Sequence, residues 1–304
     1  MTMKFRAHDT FFIRKGWLNK GMKYVLSKPN IFIDKNENPM DVLGIGANMV
    51  KALRYWLPTV GLTVESTKRP RIQTFTSLGN SIYDHDRYLE EFGTLYLLHY
   101  KLVTNHDNAT SWYYFFNEFI LHDFTKNDFV EQITSYIKMQ ENSPQVALRS
   151  LNDDFTCIMN TYIPRYRSDP KKVMPENNID CPFGDLGLID ILNKDKRGWI
   201  YKKAIPPADN FDPWVILAVI YDQAKGREEI SLNELLMSPG NIGKVFNFDS
   251  ISMLEVLRKA ESTGKLKIIR TAGLDVIHLL DHLTFQECVD QYYRSIETIE
   301  ETIE

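Results

Sequence analysis

The pattern of apolar and polar positions predicts a chain built mainly of helices. In the first part of the chain, apolar side chains recur every three or four residues, which is the spacing of an amphipathic helix. The period then changes to two, which is typical of short strands, around a basic turn. The predicted elements are a helix at 16–27, an extended piece at 31–33, a brief helix ended by Gly44, a longer helix at 45–58, and strands at 62–66 and 71–75.

This order of elements is that of a winged helix-turn-helix, which places its longer helix in the DNA major groove and its ribbon on the backbone. We therefore predict a winged-helix-like DNA-binding module at 1–83. The last part of the chain, 213–304, repeats the order and ends in an acidic tail helix, with a hairpin turn at Ala272-Gly273. Its longer helix carries Glu255 and Glu261, so we expect this second module to pack against protein.

The middle of the chain, 84–163, is predicted to be an entirely helical domain, because its apolar stripes keep helical spacing throughout. Residues 164–212 begin polar and rich in proline, which predicts a linker region that contains a helical turn and a strand. The predicted fold class is thus mainly α, with winged-helix-like N-terminal and C-terminal modules flanking a helical middle. The four helices predicted for the middle are 86–103, 111–121, 125–139 and one that opens with Pro144 and ends near 163.

Composition is that of an ordinary folded protein, with 43% hydrophobic and 25% charged residues among 304. No apolar run approaches the roughly 20 residues that a membrane helix needs, and the N-terminus lacks the apolar core of a signal peptide. The three cysteines, Cys157, Cys181 and Cys288, are widely separated and odd in number, so we expect no disulfide framework and a cytoplasmic location.

Charge is distributed unevenly along the chain. Residues 1–83 hold 13 basic and 5 acidic residues, a net charge of +8, whereas the remainder carries −12. A basic head on an acidic body predicts one surface for a polyanion and another for protein partners. The alternative interpretation is that charge simply fluctuates along the chain.

The outer face of the predicted helix 45–58 carries the strongest candidate residues. Lys51 and Arg54 suit DNA phosphates, and Asn48 has the donor and acceptor pair that suits adenine. The alternative is a solvated helix face, but the adjacent basic turn favours contact with double-stranded DNA. The predicted DNA-binding residues are Asn48, Lys51, Arg54, Tyr55, Lys68, Arg69 and Arg71.

Two glycines, Gly44 and Gly46, precede this helix and resemble part of a nucleotide-binding motif. The third glycine of a dinucleotide-binding loop and the Gly-Lys-Ser/Thr of a P-loop are both missing, which argues against a nucleotide site. Two interpretations stay open: a helix entry whose free amides meet a DNA phosphate, or structural capping alone.

Carboxylates cluster at 84–91, where Asp86 and Glu90 are four residues apart with Asp84 and His85 just upstream. Such a group could hold Mg²⁺ or Mn²⁺ for cleavage of a phosphodiester. The alternative is that a helix N-terminus attracts acidic residues through its dipole.

Other polar residues have simpler interpretations. His99 lies on an apolar helix face and is predicted to be a buried, hydrogen-bonded histidine rather than a ligand. Asp153 and Asp154 are attributed to simple solvation of the helix. No neighbour of Cys181 would depress its pKa, so it is not predicted to be a nucleophile.

Several stretches together resemble a bacterial family catalogued as a domain of unknown function, which includes the DNA-nicking component of Ssp-type DNA phosphorothioation systems. Asp86, Glu90, Glu91 and His99 match the family pattern, but no role is attached to them. The family has Lys where this chain has Ala47, so one phosphate contact is absent here. The stretches that carry the resemblance are FRAHDTFFIRKGWLNKG (5–21), LGIGANMVKALRYW (43–56), TSLGNSIY (76–83), DRYLEEFGTLYLLHY (86–100) and CPFGDLGLI (181–189).

This resemblance implies a DNA-acting component of a phosphorothioation and anti-phage defence system, with metal-dependent single-strand nicking as its possible chemistry. The implied partners are a cysteine desulfurase, an ATPase and an ATP-pyrophosphatase-like sulfurtransferase. Lys51, Arg54, Arg69 and Arg71 would hold the backbone, while the catalytic and metal-binding residues stay unassigned. The alternatives are a non-catalytic DNA-binding adaptor that recruits the sulfur-transfer enzymes and, ranked lower, a transcriptional regulator.

Overall fold

The N-terminal module begins with the predicted sequence of helices and a two-stranded ribbon. The computed structural model describes residues 2–141, 144–164, 180–196, 198–271 and 274–303. Thr63 of the first strand pairs with Phe75 of the second in an antiparallel register. Residues 31–33 form a 3₁₀ turn rather than the extended piece that was predicted, because Ile31 and Phe32 are buried in the core. The elements are α1 (Trp17–Ser27), α2 (Pro39–Leu43), α3 (Ala47–Thr59), β1 (Thr63–Glu65) and β2 (Gln73–Phe75).

A further helix, α4 (Ser77–His85), follows the ribbon and was not predicted. Thr76 caps it by accepting a hydrogen bond from the Gly79 amide at 2.9 Å. A Cβ on Gly79 would lie only 2.0 Å from the Leu62 carbonyl oxygen, so this position must be glycine for the helix to pack there. Glycine lowers helix propensity, which is why the local pattern concealed this helix.

The helical middle contains one short strand, which corrects the prediction of an entirely helical domain. Asp123–Phe124 forms an edge strand that pairs antiparallel with residues 201 and 202. The first helix begins at Phe92 rather than near 86, since Leu89 adopts a left-handed backbone with φ of 60°. The last begins at Leu148, and Pro144 lies outside it. The elements are α5 (Phe92–Thr104), α6 (Thr110–Tyr113) with a π-helical turn at Tyr114–Glu118, β3 (Asp123–Phe124), α7 (Lys126–Met139) and α8 (Leu148–Tyr162).

The region predicted as a linker contributes a sheet. A 3₁₀ turn at Pro182–Leu186 leads into β4 (Ile189–Asp195) and β5 (Gly198–Lys203), which pair antiparallel and place β5 between β3 and β4. Residues 165–179, the proline-rich core of the predicted linker, lie outside the described residues. The helical turn and strand that the sequence predicted here are both present, and the strand pairs with a second one, β4.

The C-terminal module forms a three-stranded antiparallel sheet with strand order β6-β8-β7 and helices packed against it. The first of these strands was not predicted, because its three residues show no extended alternation. The predicted turn at Ala272-Gly273 lies outside the described residues. The elements are α9 (Pro213–Ala224), β6 (Glu229–Ser231), α10 (Leu232–Met237), α11 (Ile242–Val245), α12 (Ser250–Glu261), β7 (Leu266–Thr271), β8 (Leu274–Leu279) and α13 (Phe285–Ile303).

A single connected cluster of buried apolar residues runs through all these parts. The protein is thus mainly helical, and its described residues form three small antiparallel sheets. His99 is completely buried, with its two ring nitrogens 2.8 Å from the Tyr162 hydroxyl and from the Val245 carbonyl oxygen. The prediction of a buried, hydrogen-bonded histidine is confirmed.

Among the described helices, none combines the length and the apolar character needed to cross a bilayer.

Candidate nucleic-acid interface

Helix α3 turns one face into the core and leaves the other open. Its apolar stripe is buried, and the Trp56 indole donates a hydrogen bond to the Phe11 carbonyl oxygen at 2.8 Å. On the opposite side, Asn48 and Lys51 are exposed, with the Lys51 amine 3.4 Å from the side-chain amide oxygen of Asn48. These two side chains therefore lie where the sequence predicted them, on the outer face of the helix.

Arg54 has a different environment from the one expected for a DNA-contacting residue. Its guanidinium is half-buried and forms a bidentate pair with Glu65 of β1, with nitrogen–oxygen distances of 2.7 and 2.9 Å. Burial alone would raise the pKa of Glu65, but the hydrogen bonds from Arg54 and Gln73 outweigh it and lower this pKa. Gln73 also donates to the Arg54 carbonyl oxygen at 2.8 Å, so these residues fix the ribbon against α3.

Tyr55, the remaining predicted DNA-binding residue of α3, is half-buried and forms a hydrogen bond within the protein. Its side chain packs against the core, and its hydroxyl donates a hydrogen bond to the Asn108 carbonyl oxygen at 2.8 Å. Burial, followed by the nearby Asp154 carboxylate, raises the pKa of Tyr55 well above its usual value. The residue ties α3 to the helical middle.

The turn between β1 and β2 presents three cationic side chains to solvent. Lys68, Arg69 and Arg71 are all exposed. The Ser66 hydroxyl oxygen accepts a hydrogen bond from the Ile72 amide at 3.0 Å and lies 3.0 Å from the Lys68 carbonyl oxygen, which holds the turn in shape. We call the set Asn48, Lys51, Lys68, Arg69 and Arg71 the basic surface.

The two parts of the basic surface lie on either side of the Arg54–Glu65 pair. Lys51 is one turn before Arg54 on α3, so both project from the same side of the helix. The cationic turn starts directly after Glu65, and Arg71 is close enough to contribute to lowering the pKa of that carboxyl. The sequence could not show this arrangement, because the ion pair joins a helix to a strand.

The N-terminus of α3 is open. Gly44 ends α2 in a left-handed conformation with φ of 62°, as predicted. Gly46 precedes α3 in an extended conformation, no side chain caps the helix, and no atom lies within 4 Å of the position of a Cβ there. The first amides of α3 therefore face outward beside Asn48, with the positive end of the helix dipole.

Behind α3 lies a buried polar network that sequence reasoning missed. Asp154 is 1% exposed, and its carboxylate oxygens lie 2.7 Å from His8 Nε2 and 2.6 Å from the Ser111 hydroxyl. It also accepts a hydrogen bond from the Arg6 amide at 2.9 Å. The His8 ring stacks on Trp56, with centroids 5.9 Å apart.

Simple solvation is therefore wrong for Asp154, although it fits Asp153, which is a quarter exposed and pairs with Arg6 at 2.7 Å. The signal was present in the sequence. Asp154 stands at helical spacing between Leu151 and Ile158, which are both buried, so its carboxyl shares their face.

The carboxylates at 84–91 do not assemble as predicted. Asp86 follows α4, is 7% exposed, and accepts hydrogen bonds from the amides of Glu90 and Glu91 at 2.9 and 3.0 Å. His85 stacks on Tyr293 and lies 2.7 Å from a carboxylate oxygen of Glu297. Asp86 and Glu90 thus share no helix, and backbone amides occupy the oxygens of Asp86, so these residues do not fit a Mg²⁺ or Mn²⁺ site.

In the part of the chain that the structure describes, no group of three or more His, Cys, Asp or Glu side chains could hold a metal ion. Cys157, Cys181 and Cys288 are all buried and unpaired with one another as disulfides. Burial raises the pKa of Cys181, which is opposite to the change that a nucleophile requires.

Comparison with known proteins identifies the family. The chain belongs to the family of proteins of unknown function DUF4007, whose model matches residues 5–293. The resemblance seen in the sequence is therefore confirmed. Among curated proteins, none matches the chain significantly.

Two solved structures are similar over nearly the whole chain. A magnesium ion-bound crystal structure of SspB is 26% identical with a TM-score of 0.81, and the match covers 96% of this chain and 88% of that one. A second crystal structure of SspB is 27% identical with a TM-score of 0.80 and the same coverage.

Proposed function

We propose that this member of the DUF4007 family is the DNA-engaging component of a bacterial DNA phosphorothioation and anti-phage defence system. Two findings support the system: the similarity to SspB over 96% of the chain and the resemblance to the Ssp-type family in the sequence. The observation that carries the engagement of DNA is the basic surface, which gathers exposed cations from a helix and a ribbon.

Double-stranded DNA fits this surface by charge. Lys51, Lys68, Arg69 and Arg71 would neutralise backbone phosphates and release condensed counterions, which supplies most non-specific affinity. Asn48, beside the open N-terminus of α3, would be the residue nearest to base edges. Arg54 acts through Glu65 as a positioning residue that holds the ribbon at its angle to the helix.

Salt-titrated gel shifts on a 30-base-pair duplex test this proposal. Lys51→Glu combined with Arg69→Glu should weaken binding broadly across sequences. The double variant should also flatten the plot of log affinity against log salt by roughly one unit for each lost phosphate contact. The matched control is Arg258→Glu, an equally exposed arginine on α12. Equal affinity of wild type and double variant would refute the basic surface as the DNA-binding site.

Two actions on bound DNA follow from the family resemblance. One is metal-dependent nicking of a single strand with Mg²⁺ or Mn²⁺, and one similar SspB structure is magnesium ion-bound. The other is a non-catalytic adaptor that recruits the cysteine desulfurase, the ATPase and the ATP-pyrophosphatase-like sulfurtransferase through the acidic body. Asp86 favours the adaptor, because its carboxylate serves as a backbone cap.

Conversion of supercoiled plasmid to nicked circles separates these actions. Purified protein is incubated with Mg²⁺, with Mn²⁺ or with EDTA, and the basic-surface double variant is the control for DNA binding. Metal-dependent nicking that the double variant loses supports a nickase. Duplex binding without nicking under any metal supports the adaptor.

A further inference from the structure

The hairpin of β4 and β5 displays a tryptophan to solvent. Trp199 is 48% exposed, whereas Trp17, Trp56 and Trp112 are each 5% exposed or less. Large aromatic side chains usually bury most of their surface, and tryptophan is enriched at contact surfaces, so an exposed ring beside a groove is a candidate contact residue. This position lies outside the basic surface, on a hairpin that the sequence placed in a linker.

The surroundings of the ring are aromatic on one side and cationic on the other. Lys194 stands directly opposite Trp199 in the antiparallel register, and its amine lies 5.2 Å from the ring centroid. Tyr201, two residues along the same strand face, stacks on the buried Phe124 with centroids 5.9 Å apart. The exposed Trp199 ring therefore stands beside Tyr201, whose own ring is held in place by the buried core.

An open groove of about 320 Å³ runs beside the exposed ring. It lies between β5 and the helices α7 and α8, and its lining combines rings with side chains that donate and accept hydrogen bonds. Lining residues include Lys126, Asn127, Phe155, Asn160, Trp199 and Tyr201.

Charge at the groove favours an anionic ligand. Lys126 lines it, the amine of Lys194 lies against the Trp199 ring, and Lys196 is exposed on the same hairpin. The nearby carboxylate of Asp195 accepts a hydrogen bond from the Gly198 amide at 3.1 Å, so it serves the turn. Rings that bases can stack on, next to amines that meet phosphates, are the combination used by proteins that bind single-stranded nucleic acid.

We propose that this groove binds single-stranded DNA, with an unpaired base stacked on Trp199 and the adjoining phosphates near Lys126 and Lys194. The site rests on the proposed function, because a single strand would reach the groove only where DNA held by the protein is opened. Stacking is tolerant of sequence, so the groove would not select particular bases. An apolar protein partner would leave the amines of Lys126 and Lys194 without an opposite charge, whereas a nucleic acid supplies phosphates for them beside bases for the ring.

Fluorescence anisotropy with a fluorescein-labelled 20-mer of thymidylate tests the groove. Trp199→Ala should weaken binding about tenfold, in line with the loss of one stacked base. Trp199→Phe keeps an aromatic face and should restore most of the affinity. The matched control is Ile251→Ala, another exposed apolar residue, on α12. Binding should also quench tryptophan emission in wild type, and this quenching should be absent in Trp199→Ala.

The outcomes distinguish this site from the basic surface. Trp199→Ala should keep wild-type affinity for duplex, and Lys51→Glu with Arg69→Glu should keep affinity for the 20-mer. Equal 20-mer affinity of wild type and Trp199→Ala overturns the groove and assigns Trp199 to a protein contact, while duplex binding is unaffected. If the protein binds the 20-mer tightly through Trp199 but does not bind duplex, the basic surface is refuted and the groove is supported. Circular dichroism confirms that each variant is folded.

Discussion

The N-terminal and C-terminal modules share an order of elements but differ in what their longer helices expose. Helix α3 begins at Gly46 without a side-chain cap and exposes Asn48 and Lys51. Helix α12 begins at Asp249, whose carboxylate accepts hydrogen bonds from the Ile251 and Ser252 amides at 3.0 and 2.8 Å. A carboxylate thus fills the N-terminus of α12, whereas the N-terminus of α3 is open.

The outer side of α12 is also engaged by the protein itself. Lys259 donates to the Ala208 carbonyl oxygen at 2.9 Å and lies 2.6 Å from the Asp209 carboxylate. The exposed Glu255 would repel a phosphate on the same helix. The comparison teaches that two modules with a similar order of helices and strands can differ in the cap and the exposed charge of their longer helix. The DNA contact proposed for α3 depends on these two features.

Two buried hydrogen-bond networks, each with one residue on helix α8, join these modules to the middle by different chemistry. Asp154 bonds to His8 and fixes the N-terminal segment, while Tyr162 bonds to His99, which in turn bonds to Val245 of the C-terminal module. The first joint depends on a buried carboxylate and the second on a neutral imidazole. Their responses to mutation and to acid should therefore differ.

The largest expected effect comes from breaking the N-terminal joint. Asp154→Ala leaves His8, Ser111 and the Arg6 amide without their shared partner in a buried site. Removing one member of a buried polar pair costs about 3–5 kcal/mol, so the free energy of unfolding in urea should fall by that amount. Asp153→Ala is the matched control, because its pair with Arg6 is partly exposed and should contribute less than about 1 kcal/mol. Equal losses of unfolding free energy in the two variants would contradict a stabilising role for the buried Asp154 network.

Acid should act on the C-terminal joint through His99. Burial lowers the pKa of His99 to about 3, although the Val245 carbonyl opposes this change. The unfolded chain, with a pKa of about 6.5, then binds the proton more readily than the folded one. Stability from this group is present above about pH 6.5 and is lost as pH falls toward about 3, at roughly 1.4 kcal/mol per pH unit.

His99→Gln removes this proton linkage and keeps hydrogen-bonding capacity. Unfolding in urea at several pH values between 4 and 7 gives the difference between wild type and variant. The free energy of unfolding should fall more steeply with decreasing pH in wild type than in His99→Gln. The difference between the two proteins should therefore shrink by about 2–3 kcal/mol over two pH units. Parallel curves would show that His99 is not held neutral by the fold.

Helices with a regular apolar stripe could be predicted from the sequence, and short strands could not. The predicted stripe of α8 was Ala147, Leu151, Phe155, Ile158 and Tyr162. The last four are buried, whereas Ala147 is exposed because it precedes the helix as its N-cap. The strands β3 and β6 have two and three residues, too few to show alternation, and each pairs with a strand far along the chain. Their conformation is set by those distant partners, so no local pattern indicates it.

The residues of the candidate site also divide into those that a local pattern predicts and those that tertiary contacts determine. Exposure of Lys51 and of the turn at 68–71 follows from local pattern, and the structure has both. The pair between Arg54 and Glu65 and the hydrogen bond from Tyr55 to Asn108 join different elements of the fold, so no local pattern could show them. Trp199 gave a weak signal, as a tryptophan among lysines, which the linker interpretation obscured.

The smallest effect is expected from a mutation that gives α3 an acidic cap like that of α12. Gly46 has φ of −65° and ψ of 159°, a conformation that aspartate adopts as a helix cap, and nothing obstructs a side chain there. Gly46→Asp should therefore stabilise the protein by a few tenths of a kcal/mol in urea unfolding. The same carboxylate would meet any phosphate at this N-terminus and should weaken duplex binding roughly two- to fivefold.

Gly46→Asn is the control that separates capping from charge. Asparagine caps as well as aspartate but is neutral, so it should give the same gain in stability with a smaller loss of duplex affinity. If both variants bind duplex like wild type, the amides of α3 do not face a phosphate, and Lys51 with the ribbon turn must supply the contact. If both variants weaken duplex binding equally, the added side chain blocks the N-terminus of α3 by its size and not by its charge. The difference between α3 and the capped α12 would then be steric.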